Sequence, residues 1–450
     1  MNDTNIGVEF NFSYAPGVTD DQILGFEIAG DIVSQHLADS FKGKNLEINI
    51  HVDKTNEYLP DDVVGASFPT IETGIKYQKI YDAIQDDITT SQDIIVADNL
   101  IDQKKIDVLV GGEVIDKNHK THVTSANLKA LGLKKGNHKE LDGYILINDF
   151  GGDLWSYDYL GTPEAGKLDF LSMAQHEIGH VLGFISGAKH TEDTVGKRIK
   201  DMTTMDLFRF STESVELGIN DLTYGQTSFF SINGEVSTLE LTTGVNHQVA
   251  HILSPLKSES SNGQEHALMS PNISLGERWS LTGSDLLVLD AIGWDVVNPG
   301  AIDMAAIYSN AQAQLGFAKI KNRQKEFEEV ILTQEAYNWG RSGRSSSGSG
   351  WWLKGYFMQI ETNVDAETGE TQYHVQESGA DEFWQAVEVV TSWIADNWGA
   401  WWESSSSNNW WESSASNNWW ERDSSSTNNW WESSSSNNWW KGNSDDDDDD

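Results

Sequence analysis

Ile23, Leu24, Phe26, Ile28, Ile32, Val33 and Leu37 recur at helical spacing, which predicts an amphipathic helix over roughly 19–40. Leu46, Ile48 and Ile50 alternate with Glu47, Asn49 and His51, the pattern of a half-buried strand. Further helices are expected around 74–89 and around 124–132, the latter behind a Thr124/Ser125 cap. Tyr144 to Asn148 reads as a short apolar strand and a candidate sheet edge, able to hold an extended peptide by main-chain hydrogen bonds. Residues 168–182 return to helical spacing and stop at Gly183. Phe229 to Leu241 suggests a hairpin turning at Asn233-Gly234, and Thr282 or Ser284 caps a helix reaching Ile292. Helices and strands mix without strict alternation, so the fold class expected is α+β.

The pattern changes near residue 300 and again near 400. Residues 1–298 read as one globular domain. Residues 301–400 form a small region of unknown role: 301–340 mostly helical, a Gly/Ser linker at 341–350, a hairpin pairing 351–360 with 372–376, and a helix over 381–397. From 401 the apolar content collapses into Trp pairs at 401–402, 410–411, 419–420, 430–431 and 439–440, in repeats close to WWESSSSNN. Asp445 to Asp450 close the chain. Such a segment cannot bury a core and reads as a disordered low-complexity tail. Its functional reading is a row of aromatic contacts for glycan, a protein partner or another copy of itself.

Composition excludes several classes of function. There is no cysteine, which removes disulfides, Cys-ligated zinc, iron–sulfur clusters and thiol nucleophiles. A formal net charge of −40 disfavours nucleic acid and anionic lipid as partners. It suits bound cations, and calcium is compatible with it, although the chain has no DxDxDG loop. No apolar run has the length of a membrane span, and the first residues lack the basic and apolar regions of a secretory signal.

The chemistry concentrates in His176-Glu177-Ile178-Gly179-His180. Two His at i and i+4 share one helix face, so both imidazoles can reach one zinc ion. Glu177, next to the first ligand, is placed as a general base for a water on that metal. Phe170, Leu171, Met173 and Ala174 precede the motif, and Val181, Leu182 and Phe184 follow it. Ligands on so apolar a helix are costly to bury unless paired or metallated. A catalytic zinc takes three protein ligands and a water. The spacing leaves His190, His247, His251, His266 and His374 open for the third place, with Asp206 as a carboxylate fallback.

HEIGHVLGF resembles the metzincin zinc peptidases, in which a glycine at the place of Gly183 turns the chain toward a third His three residues on. That place is Ser186 here. Leishmanolysin-like metzincins carry an insertion before the third His and then a Met-turn, and this chain looks similar: Gly183, an insertion, His251 in NHQVAHIL, then Leu268-Met269-Ser270-Pro271. FNFSYAPG, GFEIAGDIVSQHL, HVTSANLKALGL, MDLFRFS and SDLLVLDAIGWDV extend the likeness to a cyanobacterial-type family of secreted, leishmanolysin-like metalloproteases, over about residues 7–297. The resemblance implies a metzincin-like domain with a mixed sheet and a long active-site helix. It implies a zinc endopeptidase with His176, His180 and His251 as ligands, Glu177 as catalytic base and Met269 beneath the metal. It also implies a secreted protein, while the missing signal leaves a cytoplasmic location open. The rival readings are a non-catalytic zinc protein acting through its Trp repeats and a zinc amidase acting on non-protein amides.

Overall fold

The computed structural model describes residues 6–15, 17–55, 59, 62–101, 104–188, 198–244, 247–253, 266–315 and 356–360. These residues all fall in one compact unit. Helices mix with several sheets, as the α+β expectation has it. The Trp-repeat tail, the linker at 341–350, the segments 372–376 and 381–397, and His190 lie outside the described residues.

The main sheet is built from β1 (Val8–Tyr14), β2 (Lys44–Thr55), β3 (Val63–Pro69), β4 (Gly143–Asn148), β5 (Asn272–Ile273) and β6 (Tyr356–Ile360). Their order across the sheet is β1-β2-β4-β3-β6-β5. β1, β2 and β4 run parallel, while β3 is antiparallel to both β4 and β6. β4 is therefore an interior strand, with β2 on one side and β3 on the other, and the expectation that 144–148 forms an edge is corrected. Its run of apolar residues on both faces suits that position, because an interior strand covered on both faces has no polar side to alternate with.

β2 is longer than the alternation suggested, and Asn49 and His51 on its other face are buried as well. Each has a partner: the Asn49 amide donates to the His138 carbonyl at 2.7 Å, and His51 Nδ1 meets Ser13 Oγ at 2.8 Å. A buried ion pair fastens β2 and the start of β4 to the helix at 125–130, which precedes β4 in the chain. Lys129 Nζ lies 2.5 Å from Asp142, whose carboxylate also accepts from the Asn49 N–H and the Ser125 hydroxyl.

The helices are α1 (Asp20–Gln35), α2 (Tyr77–Asp86), α3 (Ser91–Asn99), α4 (Ser125–Ala130), α5 (Phe170–Leu182), α6 (Thr212–Leu217), α7 (Gly283–Ala291) and α8 (Met304–Leu315). Thr19 begins α1 with a capping box, but the helix ends before Leu37, which instead bridges to Val296. α2 starts later than its spacing predicted because residues 71–76 pair as a strand with 120–124. Thr124 caps α4 and Thr282 caps α7, as expected. The pairing of 228–230 with 240–241 is antiparallel, but the connection runs over 231–239 rather than turning tightly at Asn233-Gly234. α8 packs on α1, and β6 pairs with β3 and β5 in the main sheet. Among the described residues no helix is long and apolar enough to cross a membrane.

Candidate metal centre

α5 carries the His-Glu-His motif through the core, and all of its residues are buried. Asp169 starts it, accepting from the Ser172 N–H at 3.0 Å and its hydroxyl at 2.6 Å. The Arg278 guanidinium grips the same carboxylate through two nitrogens at 2.8 and 3.1 Å, tying the chain after Met269 to the head of the helix. Gly183 ends α5 at φ +132°, and a Cβ there would press on Ile292 Cδ1 at 2.7 Å. Trp294 closes the same end by donating to the Leu182 carbonyl at 2.9 Å.

His176, His180 and His251 bring ligand nitrogens within 4.8 Å of one another, all three side chains being fully buried. Among the described residues this is the one group of three or more His, Asp or Glu arranged to hold a metal ion. Each Nδ1 faces a backbone carbonyl: Leu268 at 2.8 Å, Phe184 at 2.6 Å and Gln248 at 3.1 Å for His176, His180 and His251. A carbonyl only accepts, so Nδ1 carries the hydrogen and each neutral ring turns a lone pair on Nε2 inward. The Nε2 atoms of His176 and His180 stand 3.1 Å apart, and that of His251 has no hydrogen-bond partner among the described residues. Two facing lone pairs at that distance repel unless a cation or a proton lies between them.

The electrostatics agree with a cation site. Burial pushes His176 down to about 4, slightly countered by the Leu268 carbonyl. Burial drives His180 and His251 well below the ordinary histidine value, and the neighbouring histidines add to it. Three imidazoles held neutral are the protonation state that a divalent metal needs. The donor set, three inward Nε2 atoms with fixed tautomers, fits zinc.

Glu177 is fully buried beside these ligands, and neither carboxylate oxygen has a hydrogen-bond partner among the described residues. Burial raises its proton affinity well above a normal glutamate, and the Met358 main-chain amide opposes this only partly. That amide is near enough to influence the carboxylate but falls outside hydrogen-bond geometry.

Met269 lies under the helix: a Cβ on Gly179 would collide with its sulfur. The turn at Leu268 and Met269 is clamped by Asp285, a residue that spacing alone does not mark as part of the site. Its carboxylate accepts from the Leu268 and Met269 N–H groups, both at 2.9 Å, and from Thr282. Thr282-x-x-Asp285 has the spacing of a capping box, a pattern that marks a helix start and carries no sign of this second use. Gly65 of β3 is the other residue missed, and only the packing of a strand against α5 exposes its role.

The other candidates are placed elsewhere. His266 stacks on Trp279 with ring centroids 5.1 Å apart. Asp206 accepts from Ser186 Oγ at 2.5 Å, the Gly187 N–H at 2.7 Å and the Thr203 N–H at 2.9 Å. Ser186, at the usual place of a third histidine, thus fixes a turn, and the fallback ligand is occupied in holding it. His247 is not part of the three-histidine group. Comparison with protein-family models, with curated proteins and with solved structures found no match to this chain.

Proposed function

We propose that this chain is a zinc-dependent endopeptidase of the metzincin type, with its third histidine displaced to His251. The observation that carries the reading is the convergence of three buried Nε2 atoms beside an unpartnered Glu177. His176, His180 and His251 would hold the ion. Bound zinc supplies Lewis acidity, polarising the scissile carbonyl and acidifying a water. Glu177 accepts the proton of the attacking water and then delivers it to the leaving amine. The carbonyl partners of the three Nδ1 atoms hold each ring in the tautomer required. Asp285 keeps Met269 and Leu268, and through Leu268 the His176 ring, in position.

The test combines metal analysis of the purified chain with a casein assay, with and without chelator. About one zinc per chain and chelator-sensitive cleavage are expected. Glu177→Ala should keep the metal and lose at least ~10²-fold in turnover. Cleavage by that variant at the wild-type rate rules out the base assigned here.

A further inference from the structure

β6 comes from far along the chain, yet it packs against α5 beside Glu177. It is hydrogen-bonded on both sides: antiparallel to β3, with Met358 opposite Gly65, and parallel to β5, with Gln359 opposite Asn272 and Ile360 opposite Ile273. β5 follows Met269 by three residues, so both neighbours of β6 border the site. Residues opposed in an antiparallel ladder direct their side chains to the same face. Gly65 faces α5, since a Cβ there would meet Met173 Sδ at 2.9 Å and Glu177 Cγ at 3.3 Å. Met358 is therefore on the face of Glu177, and it is completely buried. The ladder shifts register between Met358 and Gln359, beside that carboxylate.

Removing β6 would leave β3 and β5 facing each other across a gap one strand wide, about 10 Å from strand to strand. Both would then present unpaired main-chain groups. That is a receptor for one extended peptide, whose main chain would pair on both sides and cross the face of Glu177. A peptide substrate and β6 cannot occupy it together.

We propose that Tyr356–Ile360 is an internal inhibitory strand, filling the slot between β3 and β5 that an extended peptide substrate must enter. The proposal rests on the endopeptidase reading for its consequence, but the occupancy of the slot can be measured without catalysis.

The probe is a dye-labelled synthetic peptide with the sequence of residues 353–362, titrated by fluorescence anisotropy. The proteins are the full chain carrying Glu177→Ala, with and without Met358→Pro. Proline removes the ladder donor and is not tolerated within an interior strand. The proline variant should bind the probe at least tenfold more tightly than the Glu177→Ala chain. Equal binding, or binding by neither, overturns the proposal. Hydrogen exchange on the unmodified chain provides a second reading that needs no variant. The β3 amides directed at β6 should be protected, and free exchange there overturns the proposal as well. With Glu177 restored, Met358→Pro should hydrolyse an extended peptide at least tenfold faster than wild type at low substrate concentration. If the probe enters the opened slot but no chain with Glu177 cleaves anything, the slot stands and the endopeptidase reading fails.

Discussion

Gly65 and Glu177 meet where the main sheet touches α5: a Cβ on Gly65 would stand 3.3 Å from Glu177 Cγ. The same Cβ would lie 2.9 Å from Met173 Sδ, a turn earlier on α5. The position of the candidate base over the site thus depends on an absent side chain in the neighbouring strand.

Gly65→Ala should therefore push α5 away from β3. Overpacking of this kind costs about 1–3 kcal/mol, and a displaced base should lower proteolysis more than it lowers metal content. Thermal melting, zinc analysis and turnover on one preparation check this. A variant with wild-type turnover shows that the close approach is not needed.

The third ligand is tested by removal. His251→Ala should emerge from dialysis with little zinc and little activity, because two helix ligands form only a two-point clamp. His266→Ala, which loses a stack on Trp279, and His247→Ala should retain both. Zinc loss in either of the latter with retention in His251→Ala reverses the assignment.

Stability should fall as pH rises from about 6.5 to 8, above the range in which the buried neutral histidines act in the opposite sense. Burial, then the nearby charge of Asp295, raises Asp39 to about 8, and burial with several neighbouring aspartates raises Asp87 to about 8, both from an ordinary 3.8. Within that window the folded chain keeps protons that the unfolded chain has released, so rising pH favours unfolding. Asp39→Asn should flatten the slope and raise the melting temperature at pH 8 by at least ~2 °C. An unchanged slope shows that this carboxyl is already ionised when folded.

Deleting residues 401–450 should leave cleavage of a soluble substrate within about twofold of wild type, since Ser/Asn-rich repeats bury no core that could build a wall of the site. Adhesion or self-association should weaken instead. Loss of turnover on a soluble peptide after truncation contradicts this.

The sequence by itself determined the parts that depend on local periodicity and short-range chemistry. His176, Glu177 and His180 were legible because helical spacing puts i and i+4 on one face. The caps at Thr124 and Thr282 were legible because a hydroxyl at a helix start leaves a local signature. Only the tertiary structure decided what depends on residues distant in sequence. It selected His251 for the group by folding 247–253 back onto α5, while His266 went to Trp279. It placed 144–148 inside the sheet, because the neighbours of a strand are set by long-range pairing that its own side chains do not record. It assigned Asp285 a second use in holding the Leu268 and Met269 main chain and brought Gly65 against Glu177. It also carried Tyr356–Ile360 into the sheet beside the site, since a main-chain ladder is formed by groups that every residue except proline possesses and no motif announces.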